Sequence, residues 1–223
     1  MDKGYFIIDG SHLFSSIHEL HRTKSSEGFS GKKLDISKLT EALMRRWSLN
    51  VGVTIRTIYY FKKNDKRIST MLEIPEIGVP GVKNHWQTKE CGESIDAVPD
   101  DELQKLSPQY RDHFARAEKG LDIKLTCDVL QLVSSGKASN IVFLVNDRDY
   151  IPLFEAIQNL GGNVYLTSLH KDLKIQTGLL KLADHYLTLE NEIRDIFNIT
   201  DQPPVIPTQE IEQVTQGVEV IDA

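Results

Sequence analysis

Four short acidic elements hold the residues of this chain best suited to chemistry. They are Ile7-Ile8-Asp9-Gly10-Ser11, Lys119-Gly120-Leu121-Asp122, Cys127-Asp128 and Asn146-Asp147-Arg148-Asp149-Tyr150. Two of them directly follow apolar, β-type runs, Tyr5-Phe6-Ile7-Ile8 and Ile141-Val142-Phe143-Leu144-Val145. An Asp at the carboxyl end of a buried strand is a poor core residue and a good ligand for a hard cation. Several such carboxylates on one edge of a sheet would make a magnesium site, since magnesium takes oxygen ligands and retains several waters. Such an ion acidifies a water and neutralises phosphate charge, which is phosphodiester chemistry. Asp9, Asp122, Asp147 and Asp149 form the candidate catalytic and metal-ligating set. Gly10 would let backbone approach a metal or phosphate closely, and a helix starting near Ser11 would offer free N–H groups.

Each acid also has a plain structural role open to it. Asp9 in an Asp-Gly pair can be a turn or N-cap residue, and Asp122 can cap its helix. One of Asp147 and Asp149 can cap the helix that begins near Tyr150, but two carboxylates in that loop exceed what a cap needs. Asp128 lies six positions past Asp122, about 240° around a helix, so the two do not share one face. It stands as a supporting contributor to the site.

The elements that must position these residues alternate between strand and helix. Residues 4–9 read as a buried strand and 10–22 as a helix with Leu13, Phe14, Ile17 and Leu20 at helical spacing. Asp35 is an N-cap for a helix carrying Leu39, Leu43 and Trp47. Val53–Phe61 is the second strand, rich in Val, Ile, Thr and Tyr. Residues 74–118, punctuated by Pro75, Gly78, Pro80 and Gly81, read as an insertion or lid. Within it, Val79–Gln87 suggests a short strand and Pro99–Arg116 a polar helix. Regularity returns with a helix over Asp122–Val133, a strand at Ile141–Val145 and a helix over Pro152–Leu160 stopped by Gly161-Gly162. A strand at Val164–Leu166, a helix over Asp172–Leu182, a strand at Tyr186–Leu189 and a helix over Glu190–Phe197 complete the body. The expected class is α/β, a mostly parallel sheet with helices on both faces. In such sheets ligands bind outside the carboxyl ends of the strands. That rule puts Asp9, the basic run Lys62–Arg67, Asp147, Asp149, Ser168 and His170 on one edge.

Composition narrows the setting. The 223 residues suffice for one α/β domain, 1–198, and a tail, 199–223. Residues 200–223 hold Asp201, Glu210, Glu212, Glu219 and Asp222 without Lys or Arg, so −5 of the net −6 lies there. The body is near neutral, which leaves room for a local basic patch and excludes a strongly basic nucleic-acid footprint. The tail also carries Pro203, Pro204 and Pro207 and is expected to be flexible. Cys91 and Cys127 form no CxxC pair and read as free thiols of a reducing compartment. No signal peptide or membrane span is legible, so the expectation is a cytoplasmic protein without a membrane partner.

At its acidic elements the chain resembles the NYN domain family of the PIN-like nuclease superfamily, and within it the LabA-like group. The family's Asp-Gly-x-Asn element matches Asp9-Gly10-Ser11-His12, and its Lys-Gly-x-Asp element matches Lys119-Gly120-Leu121-Asp122, with Asp128 further along. Its (Ser/Gly)-Asp-x-Asp-(Phe/Tyr) element matches Asn146-Asp147-Arg148-Asp149-Tyr150, followed by Pro152-Leu153 and a Gly turn. The match covers about residues 1–190. The resemblance implies a Rossmann-like PIN fold and a metal-dependent endoribonuclease, with Mg2+ or Mn2+ on the Asp cluster and RNA as partner. Two positions depart from the pattern: His12 stands where Asn is usual, and Asn146 where Ser or Gly is common. The alternative is a catalytically weak or inactive PIN-like module that binds RNA or protein; a homodimer is compatible with either. A haloacid-dehalogenase-type phosphatase would need a second Asp two residues after Asp9, where the chain has Ser11.

Substrate contacts are expected from Ser11, His12, Lys62, Lys63 and Arg148, the cations through phosphate attraction. Tyr59, Tyr60, Phe61, Trp47 and Trp86 read as core rather than as base-stacking platforms.

Overall fold

The structure is a computed structural model that describes residues 2–75, 86–91, 104–105 and 120–200. Most of the expected insertion, with the start of its strand and its polar helix, lies outside the described residues, as does the acidic tail from 201.

Strand β1 spans Lys3–Asp9 and runs straight into helix α1, Gly10–Thr23. Strand β2, Leu34–Asp35, leads into helix α2, Ile36–Val51, and strand β3 covers Val53–Lys62. Helix α3, Arg67–Met71, strand β4, Leu72–Glu73, and strand β5, Trp86–Cys91, follow. Helix α4, Leu121–Ser134, precedes strand β6, Asn140–Leu144. A 3-10 turn, Arg148–Tyr150, opens helix α5, Ile151–Asn159. Strand β7, Asn163–Ser168, helix α6, Thr177–Leu182, strand β8, His185–Thr188, and helix α7, Ile193–Ile196, end the described chain.

Six strands form one sheet in the order β5-β3-β1-β6-β7-β8, and every pairing within it is parallel. A separate two-stranded sheet joins β2 to β4. The chain starts at β1 in the middle, moves outward through β3 to β5, then returns beside β1 with β6 and moves outward the other way. The β1–β6 pair is therefore the point where the winding reverses. There the connections leave in opposite directions and open a crevice at the carboxyl ends of the strands.

Period-two alternation along β1 splits the core in two. Phe6 and Ile8 pack with Leu13, Phe14, Leu43 and Trp47 on the α1–α2 face. Ile7 packs with Leu125, Phe143, Tyr150 and Phe154 on the α4–α5 face. Both faces of the sheet are covered, which is why β6 is apolar from Ile141 to Leu144 and buried at all its positions. Tyr59, Tyr60, Phe61, Trp47 and Trp86 are all buried.

The closing helices are shorter than the periodicity suggests. The expected helix over 172–182 begins only at Thr177. Residues ahead of it are held in another conformation by the Asn146 side chain, whose Nδ2 donates to the Lys174 carbonyl at 2.8 Å and whose Oδ1 accepts the Gln176 amide at 2.7 Å. The helix expected over Glu190–Phe197 is a short piece, Ile193–Ile196.

Candidate active site at the winding reversal

Asp9 ends β1 and caps α1. Its Oδ1 accepts the amides of Ser11 at 2.8 Å and His12 at 3.3 Å, so the residue fills the N-cap role open to it in the sequence. These two bonds fix the carboxylate and leave Oδ2 facing the α4–α5 side. Oδ2 lies 3.1 Å from the Tyr150 hydroxyl, and the same hydroxyl lies 2.7 Å from Asp122 Oδ1. Asp9 is 5% exposed and Tyr150 1%. Two carboxylates from distant parts of the sequence thus meet on one phenol.

A phenol has one hydrogen and can donate it to only one of them. Burial, and then the charge of Asp122, push the Asp9 carboxyl up to about 6, against the lowering pull of the His12 and Ser11 amides and the Tyr150 hydroxyl. Burial, and then the charges of Asp9 and Asp122, raise the Tyr150 hydroxyl far above its ordinary range, so it stays protonated. A proton on Asp9 that donates to the Tyr150 oxygen, while Tyr150 donates to Asp122, satisfies the whole chain of contacts.

Gly120, with φ of 108°, precedes α4 as its N-cap, so Asp122 lies within the first helical turn rather than at the cap. The first turn is where a carboxylate is favoured by the helix dipole. Its side chain is consequently available to reach Tyr150.

The loop after β6 supplies the other two acids. Asp147 caps the 3-10 turn, its Oδ1 accepting the Asp149 amide at 3.0 Å. Asp147, Arg148 and Asp149 are all exposed. Among the described residues no group of three or more metal-binding side chains is gathered. The structure therefore brings Asp9 and Asp122 together and sets Asp147 and Asp149 in the loop that delivers Tyr150.

Asp128 is directed elsewhere. Its carboxylate pairs with Lys89 at 2.6 Å and Lys124 at 2.8 Å and accepts the Tyr60 hydroxyl at 3.2 Å. Burial by itself would raise this acid, but Lys124 and Lys89 hold it below its ordinary value. It borders a groove of about 340 Å³ that also includes Tyr5, Arg56 and Lys137. Tyr5 pairs with Arg56 at the entry end of β1 and β3, so much of this groove lies toward the opposite edge of the sheet.

Gly10 has a packing reason. A Cβ there would lie 2.4 Å from the Phe61 ring and 2.5 Å from the Tyr60 carbonyl oxygen, so the close approach is to β3. Ser11 Oγ is buried and has no hydrogen-bond partner among the described residues. The His12 ring is partly buried, with Nε2 3.4 Å from Ser16 Oγ, and burial lowers it to about 4, so it is neutral at pH 7. His12, Ser16, Asn146 and Lys174 border a cleft of about 310 Å³ at the winding reversal. Lys62 ends β3 and Lys63 follows it, two and three residues beyond Tyr60, the partner of Asp9 in register. The side chains of Lys62, Lys63 and Arg148 make no hydrogen bond among the described residues. Arg67, from the same basic run, is held by Asp65 at 2.7 Å and lies over the Phe14 ring.

The donor set suits a hard divalent cation. Every side chain at the bridge offers oxygen, the ligand type that magnesium takes. The buried Ser11 hydroxyl, whose own amide bonds to Asp9, is a further oxygen near this acid. Sequence reasoning does not single out Tyr150 for this site. Its one available signal is that the aromatic position after Asp149 holds the ring that carries a hydroxyl.

A family model described as the NYN domain matches residues 7–190 of the chain. No curated protein and no solved structure matches it.

Proposed function

This chain belongs to the NYN domain family, and from that premise we propose that it is a divalent-metal-dependent endoribonuclease that hydrolyses RNA phosphodiester bonds. NYN domains are nuclease-like, which supports an RNA-cleaving role at the level of the family. Within the family we assign the chain to the LabA-like group on the Lys119-Gly120-Leu121-Asp122 element, and to a cytoplasmic setting. The observation that carries the reading is the Asp9–Tyr150–Asp122 bridge at the crevice between β1 and β6.

Asp9 and Asp122 would hold Mg2+ or Mn2+, and Asp147 and Asp149 would add carboxylates from the adjoining loop. When bound, such an ion supplies positive charge for the phosphate oxygens and acidity for the attacking water. The Ser11 and His12 amides keep Asp9 from turning away. Ser11 Oγ and the neutral His12 ring offer uncharged hydrogen-bonding groups to the substrate beside the acids. Lys62, Lys63 and Arg148 would draw the RNA backbone toward this edge.

The test is cleavage of labelled RNA by purified protein with Mg2+ or Mn2+, beside Asp9→Asn and Asp147→Asn. Both substitutions should lower the rate by at least the roughly 10–100-fold that groups supporting a metal site command. Equal cleavage by all three proteins would mean a contaminating nuclease and end the proposal. A binding module without turnover is the second reading, favoured by one observation: Asp147 already caps its turn, and no three ligating side chains gather among the described residues. RNA binding without cleavage, and no rise in melting temperature with Mn2+, would select it.

A further inference from the structure

We propose that Tyr150 is the positioning residue of the metal site, its hydroxyl setting the separation of the Asp9 and Asp122 carboxylates. The inference rests on the metal-site reading above and adds a residue to it.

The hydroxyl touches both acids, at 3.1 Å from Asp9 Oδ2 and 2.7 Å from Asp122 Oδ1. Its place is set by a rigid frame. Tyr150 closes the 3-10 turn after β6, precedes α5 and is 1% exposed within the α4–α5 core. The turn itself is tied by the Tyr150 amide donating to the Asp147 carbonyl at 3.1 Å. The ring therefore cannot follow the carboxylates; they must follow it. Asp9 is fixed from its other oxygen by two amides of α1, so the hydroxyl completes its orientation. Asp122 stands on a different helix, and Tyr150 links that helix to the end of β1. Without a donor between them, two anions on separate elements repel and lose their common distance. With both acids ionised the one phenol hydrogen goes to Asp122, the nearer acceptor at 2.7 Å, and that oxygen keeps a second lone pair for a cation.

The frame also makes the role separable from folding. Phenylalanine fills the same space without the hydroxyl. A ring needed only for packing would be replaced at no cost to metal affinity, whereas a ring needed for its hydroxyl would not. Outer groups that orient metal ligands command about 10–100-fold in metal affinity.

The experiment titrates Mn2+ into full-length wild type, Tyr150→Phe and Asp9→Asn. Free Mn2+ is read by electron paramagnetic resonance, with folding followed by circular dichroism and RNA cleavage measured in parallel. Tyr150→Phe should stay folded and bind Mn2+ roughly 10–100-fold more weakly than wild type. Its KM for RNA should hold and its rate should recover at high Mn2+. If wild type binds Mn2+, Asp9→Asn does not, and Tyr150→Phe binds as tightly as wild type, the positioning role is overturned while the metal-site reading stands. If wild type itself fails to bind Mn2+, the metal-site reading falls and this inference with it. Should Tyr150→Phe not fold, 3-fluorotyrosine at this position keeps ring and hydroxyl but makes the hydroxyl a stronger donor. Mn2+ affinity must then change, and unchanged affinity overturns the proposal.

Discussion

Asp9 serves two masters, the N-terminus of α1 through one oxygen and the Tyr150–Asp122 bridge through the other. Folding without metal favours its protonated form, because burial and Asp122 lift it from 3.8 to about 6. A carboxyl raised in the folded state adds stability below its unfolded pKa and loses it as pH rises through the folded value. The shift corresponds to about 3 kcal/mol, lost between about pH 4 and pH 6. His12 runs the opposite way, because burial lowers it from 6.5 to about 4, so its contribution is lost as pH falls through that window. The two mask each other in the wild type, so the informative quantity is a difference. Metal-free Asp9→Asn, measured by urea unfolding against wild type, should become relatively more stable by about 3 kcal/mol on going from pH 4 to pH 7. Parallel pH profiles for the two proteins would show that Asp9 is not raised. Much at this scale is legible in the sequence. Asp9 and Asp35 both read as cap residues, and both accept the amides two and three positions on. Tyr150 is not legible, because what its hydroxyl touches is decided by the meeting of three separate elements.

Elements whose pattern depends on local periodicity were readable, and those whose ends depend on a distant side chain were not. The β1–α1 unit follows from an apolar run, an Asp and helical spacing. Gly10 within it looked like a place for a ligand's approach, yet the neighbour that needs the space is β3. Gly10→Ala should therefore destabilise the fold by about 1–3 kcal/mol through overpacking, measured as a lower urea midpoint with an unchanged slope. A variant as stable as wild type would show that Phe61 and the strand give way freely. The late start of α6 has its cause in Asn146, a residue that reads only as a departure from the family pattern until its partners at Lys174 and Gln176 are known. Asn146→Ala should release that segment and cost about 1–2 kcal/mol, the worth of two ordinary hydrogen bonds. Faster hydrogen exchange at the Gln176 amide is the direct readout, and unchanged exchange would mean the segment is held by other contacts.

At the scale of the whole molecule, alternating strands and helices announce a parallel sheet, but not the order of its strands. That order depends on which way each crossover turns, and the small β2–β4 sheet depends on two-residue strands too short to register as a pattern. The order matters because it makes β1 and β6 neighbours, and so sets Asp9 beside the loop holding Asp147, Asp149 and Tyr150. It also carries the cations Lys62 and Lys63 to the same edge, at the end of the strand flanking β1 on the other side. A chain of net charge −6 repels RNA at long range, so productive approach depends on this local patch rather than on the overall field. Each cation that neutralises a phosphate of single-stranded RNA adds about 0.7 to the slope of log affinity against log salt. Lys62→Ala with Lys63→Ala, made on the Asp9→Asn background so that the RNA stays intact, should lower that slope by about 1.4. Fluorescence anisotropy with a labelled oligonucleotide across a salt series supplies the measurement. Weaker binding with the slope reduced means that the backbone crosses the end of β3 on its way to Asp9 and Asp122, and an unchanged slope means that it reaches the crevice from elsewhere.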